Sequence, residues 1–211
     1  MNNTNIITGK EDKLIQIDAV SSLTIFKYLK KMKISLLIAK KECKEILFRY
    51  KGKEHNVLAF VNNSGWYEVR NNYINGHIGT KDISYVRCRD DNIATTCCVF
   101  EDFIDYLSFL TIQSFSNSHF IKKQDYLILN SFSCLDNVFL ILENYDNIYC
   151  FFNNDATGSN SIHKIILKLG INKVHDASIY YKGYKNVSDF LTNKHIFQNK
   201  MEVIPKKGRR R

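Results

Sequence analysis

Three short stretches place oxygen-bearing side chains where chemistry could occur. The first is "CVFEDFIDYLSFL", in which an apolar run ends at Glu101, with Asp102 next and Asp105 one helical turn on. The second is "CFFNNDATG", where another apolar run gives way to Asn153, Asn154 and Asp155, followed by Gly158. The third, "YYKGYKNVSDFL", carries Lys182 and Lys185 and then Asn186, Ser188 and Asp189. Carboxylates among hard amide oxygens, with no softer ligand nearby, suit Mg²⁺ or Mn²⁺, ions that hold and polarise phosphates. The alternative is that these acids and amides are helix N-caps, because Asp and Asn are favoured where a helix begins. In the third stretch Tyr180, Tyr181 and Tyr184 alternate with the two lysines, a mixture able to stack on bases and contact phosphates. Tyrosines packed on a sheet, with lysines in solvent, would produce the same pattern. No His/Asp constellation surrounds Ser108, Ser131 or Ser133, which sets a serine nucleophile aside.

The elements that must position these residues alternate from Thr96 onward. "CCVF", "DYLILNS", "NIYCFF" and "KVHDASIY" read as four strands, interleaved with "DFIDYLSFLTIQ", "CLDNVFLILENY", "GSNSIHKIILKLG" and "NVSDFLTNKHIF" as helices. Continuous apolar strands separated by helices indicate a parallel sheet covered on both faces, where ligands bind beyond the C-terminal strand ends. If the first and third strands are neighbours, Glu101 and Asp155 face each other there. Residues 12–46 carry apolar positions at helical spacing with a break near Lys33 to Ser35, which predicts two helices. Residues 46–86 shorten into alternating stretches with turn signals at Lys51-Gly52 and Asn62 to Gly65, which predicts an antiparallel meander closed by "GHIGTKDISYV". "CRDDNIATT" reads as a polar link.

With 211 residues, 45% of them hydrophobic, the chain can bury a substantial core. The formal net charge is +9, and "PKKGRRR" supplies five of those charges, leaving about +4 elsewhere. Such a tail is a solvated end or a contact for nucleic-acid phosphates. The N-terminal residues have no apolar targeting core, and no stretch approaches the ~18 apolar residues of a membrane helix, so a cytoplasmic protein with no membrane contact is expected. The six cysteines form no CxxC pair and have no His at zinc-finger spacing. They read as buried thiols.

Taken together, "CVFEDFIDYLSFL", "YLILNSFS", "CFFNNDATG" and "YYKGYKNVSDFL" resemble the Toprim domain of bacterial-type primases, topoisomerases and some nucleases. The similarity is strongest to primase-like Toprim proteins of bacterial mobile elements and phages, notably of Bacteroides type. "YLKKMKISLLIAKKECKEILF" and "GWYEVRNNYINGHIGTKDIS" resemble the segment that precedes Toprim in that group. The resemblance implies an α/β Rossmann-like sheet of about four parallel strands after a small α+β lobe. The corresponding division is 1–92 for the N-terminal lobe, 93–195 for Toprim and 196–211 for the basic tail. It further implies Glu101, Asp105, Asp155 and Asp189 as catalytic positions and Glu101, Asn153 and Asp155 as metal-facing ones. Lys182, Lys185, Arg70 and Lys81 are implied as phosphate- or nucleic-acid-binding residues.

Three positions depart from the family pattern. Asp102 stands where Gly is usual, Asn153 replaces the first acid of an Asp-x-Asp pair, and Asn186 replaces the acid after the lysine. Amide carbonyls coordinate Mg²⁺ without offsetting its charge, so weaker metal binding is expected. Asp102 would restore one charge if it faced the site. The zinc-binding module common in the family has no counterpart here, so no zinc is expected and a separate zinc-finger or helicase protein becomes a candidate partner. The function implied is metal-dependent nucleotidyl transfer on single-stranded DNA, using nucleoside triphosphates, in replication or mobilisation of a mobile element. The alternative is a catalytically weakened or inactive Toprim nucleic-acid-binding accessory protein, with a Toprim nuclease as a third reading.

Overall fold

The structure, a computed structural model, describes residues 4–5, 13–88, 94–115 and 124–196. The basic tail and most of the polar link lie outside these residues. Two sheets share a common core. The first has six strands in the order β1-β6-β5-β4-β3-β2. These are β1 (Thr4–Asn5), β2 (Lys13–Asp18), β3 (Lys44–Tyr50), β4 (Lys53–Val61), β5 (Tyr67–Arg70) and β6 (Asn75–Ile78). The strands from β2 to β6 pair antiparallel, and β1 runs parallel to β6. Helices α1 (Leu23–Lys31) and α2 (Leu36–Glu42) connect β2 to β3.

The second sheet, in the order β11-β10-β8-β9-β7, is the parallel one expected from the sequence, with an added antiparallel edge. It comprises β7 (Ser84–Val86), β8 (Thr96–Phe100), β9 (Asp125–Ile128), β10 (Asn147–Phe151) and β11 (Val174–Asp176). Helices α3 (Phe103–Phe115), α4 (Phe139–Leu142), α5 (Ala156–Leu169) and α6 (Val187–Thr192) cover it. Every residue of β8 is buried, and its side chains divide by the strand period of two. Cys98 and Phe100 enter one core with Phe103, Tyr106 and Tyr181, whereas Cys97 and Val99 enter another with Val138, Leu142 and Ile165. Five of the six cysteines are buried, and burial raises the Cys98 thiol to about 12.

The first core is shared between the sheets. Tyr28, Leu58 and Phe60 pack with Phe100, Phe103 and Tyr106, and the Phe60 and Phe103 rings stack with centroids 5.6 Å apart. Tyr106 Oη also donates to Glu42 Oε2 at 3.1 Å. An interface this apolar holds two lobes together as a single core would.

Several local expectations need correction. Residues 13–18 form a strand rather than the start of a helix, because pairing with β3 outweighs the helical spacing of Leu14 and Ile17. The predicted break at Lys33 is present, with Lys33 in the left-handed region at φ 56° after Ser22 caps α1. "CLDNVFLILENY" divides into a 3₁₀ turn at Phe132–Val138 and the short α4. β11 stops at Asp176, whose side chain caps a 3₁₀ turn over Ala177–Tyr181. The meander closes at β6, while β7 leaves it and pairs with β9.

Candidate functional site

β8 and β10 are adjacent and parallel with Phe100 opposite Phe151, so the chain leaves both strands at the same end of the sheet. Glu101 follows β8, and its carboxylate accepts the backbone N–H of Asn153. The loop after β10 is tightly wound. Asp155 N–H donates to the Asn153 carbonyl at 2.8 Å, and the Asp155 side chain caps α5 by accepting the Gly158 N–H at 3.0 Å. A Cβ at residue 158 would lie 2.1 Å from the Asn153 carbonyl oxygen, which is why only glycine fits there.

Asn154 fastens this loop to the third stretch. Its backbone N–H donates to the Lys185 carbonyl at 2.7 Å, and its side-chain amide donates to the Tyr184 carbonyl at 2.9 Å. Lys185 thereby lies close enough to lower the Glu101 pKa. The opposing influences are larger. Burial first, then the charges of Asp102 and Asp155, raise the Glu101 carboxyl to about 7. Two buried oxygens here, Glu101 Oε2 and Asn153 Oδ1, accept no hydrogen bond. Such acceptors, left without donors at a cost of ~1–3 kcal/mol each, suit a cation.

The surrounding residues divide between this site and its supports. Asp102 Oδ1 caps α3 by accepting the N–H groups of Ile104 and Asp105, and its Oδ2 lies 3.1 Å from Arg70 Nη2. Both carboxylate oxygens are thus occupied, so Asp102 presents no free oxygen as a metal ligand, although its charge is felt at Glu101. Arg70 reaches this pair from the end of β5 and sits over the Phe103 ring. Asp105 is fully covered and accepts the Ser188 N–H at 2.8 Å; burial, then the neighbouring Asp102 charge, raises its pKa well above the ordinary value. Asn186 caps α6 through the Asp189 N–H, and Asp189 lies 3.8 Å from Lys194.

Lys182 and Lys185 are exposed. Lys81 lies between β6 and β7 near His77, whose pKa falls through burial and then through the Lys81 charge. Tyr181 is buried and donates to the Phe152 carbonyl at 2.6 Å, and Tyr184 packs on His195, leaving Tyr180 as the exposed ring of the three. Asn154 is the positioning residue the sequence did not single out. Its carbonyl partners lie 24 to 31 residues away, beyond any local spacing rule.

Residues 98–191 match the Toprim-like family model. Residues 14–79 match a domain of unknown function, DUF8464, and no curated protein sequence matches the chain. Among solved structures, the primase fragment of the bacteriophage T7 primase-helicase protein is similar with a TM-score of 0.54 at 16% identity, covering 96% of this chain and 79% of that one. A T7 assembly of lagging-strand DNA polymerase with primase domains bound to an RNA/DNA hybrid and dTTP gives a TM-score of 0.48 at 15% identity, covering 81% and 84%. The likeness to the primase fragment is one of fold.

The Toprim-like unit spans all three stretches, and the metal such a fold implies can be tested against its residues. Among the described residues, no three His, Cys, Asp or Glu side chains group as a ready-made cage. Mg²⁺ does not require one, because it keeps several waters and takes one or two carboxylates. The orphaned Glu101 and Asn153 oxygens, with the exposed Asp155 carboxylate beside them, fit that demand. Among the described residues no helix is long and apolar enough to cross a membrane.

Proposed function

We propose that this protein is a primase-like nucleotidyltransferase that joins nucleoside triphosphates on single-stranded DNA, with Mg²⁺ or Mn²⁺ held by Glu101, Asn153 and Asp155. One observation carries the reading. Two buried acceptors, Glu101 Oε2 and Asn153 Oδ1, lack donors at the paired ends of β8 and β10, where ligands of open parallel sheets bind. The ion, when bound, would neutralise phosphate charge at the reacting centre. Exposed Lys185, fixed through its carbonyl to Asn154, and Lys182 would bind further phosphate oxygens. Asp105 would orient α6 through the Ser188 amide, setting Asp189 at the rim of the site. In this reading residues 1–92 and 93–195 are the two working lobes, and replication or mobilisation of a mobile element is the setting its sequence resemblance implies.

A second reading, nucleic-acid binding without nucleotidyl transfer, is favoured by the fate of two family positions. Asn186 is spent as a helix cap, and the charge of Arg70 is met by Asp102. Oligonucleotide synthesis on single-stranded DNA with Mg²⁺ or Mn²⁺ separates the two. Product from the wild type that disappears in Glu101→Gln and increases in Asn153→Asp supports the transferase. Silence in the wild type and in Asn153→Asp, with DNA still bound, overturns it and leaves the binding protein.

A further inference from the structure

Residues 27–45 hold seven lysines, all exposed, and two acids. Neither acid offsets the lysines fully. Glu45 is buried and accepts the N–H groups of Ser21 and Ser22 at 3.0 and 2.9 Å. Glu42 is largely covered, accepts from Tyr106, and lies 3.5 Å from the neighbouring Lys41 alone among the lysines.

The helical period collects these charges on one side. In α1, Leu23, Lys27, Lys30 and Lys31 fall within one stripe, opposite the buried Ile25 and Leu29. Two basic residues in the last turn would suffice to complement the helix dipole, so the rest require another account. Lys40 of α2 lies over the Phe26 ring of α1 at 5.5 Å, which brings the two helices' charges together. Lys31 Nζ donates to Asn72 Oδ1 at 3.0 Å, which places the β5–β6 turn at the other margin. That turn carries Tyr73, exposed over 87% of its surface. A continuous surface therefore combines lysine charge with one aromatic ring presented to solvent.

We propose that this outer surface of α1 and α2, with Tyr73, is a docking track for single-stranded DNA, its phosphates on Lys27, Lys30, Lys31 and Lys40 and an unpaired base on Tyr73. The occupant is chosen by charge complementarity together with the exposed ring, since stacking needs a base free of its pair. The inference rests on the nucleic-acid reading of the preceding subsection but concerns a different surface. Tyr28, on the inner side of α1, feels the Arg70 and Asp102 charges, so the lysine stripe lies on the side of the helix away from that pair.

Fluorescence anisotropy with a labelled oligo-dT, across a salt series, tests the track. The quadruple variant Lys27→Gln, Lys30→Gln, Lys31→Gln, Lys40→Gln should bind ~100-fold more weakly at about 0.1 M salt, with the log–log salt slope reduced by about 3. Tyr73→Ala should weaken binding ~5- to 50-fold and leave the slope unchanged. A melting curve matching the wild type would show that both variants fold. Wild-type affinity and slope in the quadruple variant overturn the track, as does equal binding of a duplex of the same length. Glu101→Gln separates the two proposals. Lost synthesis with unchanged DNA binding supports the Glu101 site, and a wild type that binds DNA through these lysines yet makes no product overturns the site while retaining the track.

Discussion

Replacing Glu101 by Gln should stabilise the metal-free protein at alkaline pH. The folded state holds this carboxyl at about 7, against 4.5 for the ordinary group, so between those values it binds a proton that the unfolded chain has released. Stability from this residue is therefore complete below about pH 4.5 and is lost as pH rises through 7. At about 1.4 kcal/mol per pH unit the full penalty at pH 8 would approach ~3 kcal/mol, and partial solvent access reduces it to ~1–2 kcal/mol. Glu101→Gln removes the charge and keeps the shape, so at pH 8 in EDTA it should melt ~2–8 °C above the wild type, with the difference falling to about a quarter of that at pH 5. Asp105 also titrates abnormally, chiefly through burial and the Asp102 charge, and the Glu101 charge adds to that rise, so Glu101→Gln relieves it and shifts stability in the same direction. Millimolar Mg²⁺ should raise the wild-type melting temperature and leave the variant's unchanged, with weaker binding below pH 7 because the proton competes with the ion. Calorimetry or circular dichroism across pH 5–8.5 reads all of this. A Glu101→Gln variant less stable than the wild type at pH 8, or a difference independent of pH, would refute the reasoning.

Three further outcomes follow from the same geometry. Gly158→Ala should destabilise the fold by ~2 kcal/mol or more, read by urea denaturation, because its Cβ meets the Asn153 carbonyl oxygen at 2.1 Å. Asp102→Asn keeps a capping side chain on α3 but leaves the Arg70 guanidinium without its carboxylate, so a loss of ~1–2 kcal/mol is expected at pH 8, together with a lower Glu101 pKa in carboxyl-resolved NMR titration. Phe60→Ala removes the ring stacked on Phe103 and should cost ~3–5 kcal/mol while the unfolding transition stays single, which differential scanning calorimetry can check.

The sequence made the second sheet legible because the apolar runs of β8, β9 and β10 had to be covered on both faces, a demand that a covered parallel sheet meets, with β11, buried at Val174 and exposed at Asp176, added at its edge. The ends of β8 and β10 were legible for a related reason, since polar residues after such runs have few places to go. Two elements were hidden. β2 carries both a helical and a strand spacing, and the choice is made by β3, more than 25 residues further on. β7 is three residues long and takes its identity from β9, 40 residues away. The Arg70–Asp102 pair was hidden in the same way, because a charge at the end of one sheet carries no local mark of a carboxylate in another. The N-cap alternative is compatible with the metal reading at Asp155, where the oxygen that caps α5 leaves the second one available.

The crossing of β7 from one lobe to the edge of the other's sheet has a bearing on how this protein can be divided. A Toprim-like fragment beginning at residue 93 would lack Ser84–Val86 and leave the outer edge of β9 with its N–H and C=O groups bare, an invitation to pair with another chain. It would also uncover the Phe103 and Tyr106 rings. A fragment beginning before Ile83 would carry its own edge guard, whereas the complementary N-terminal piece would have to give that strand up.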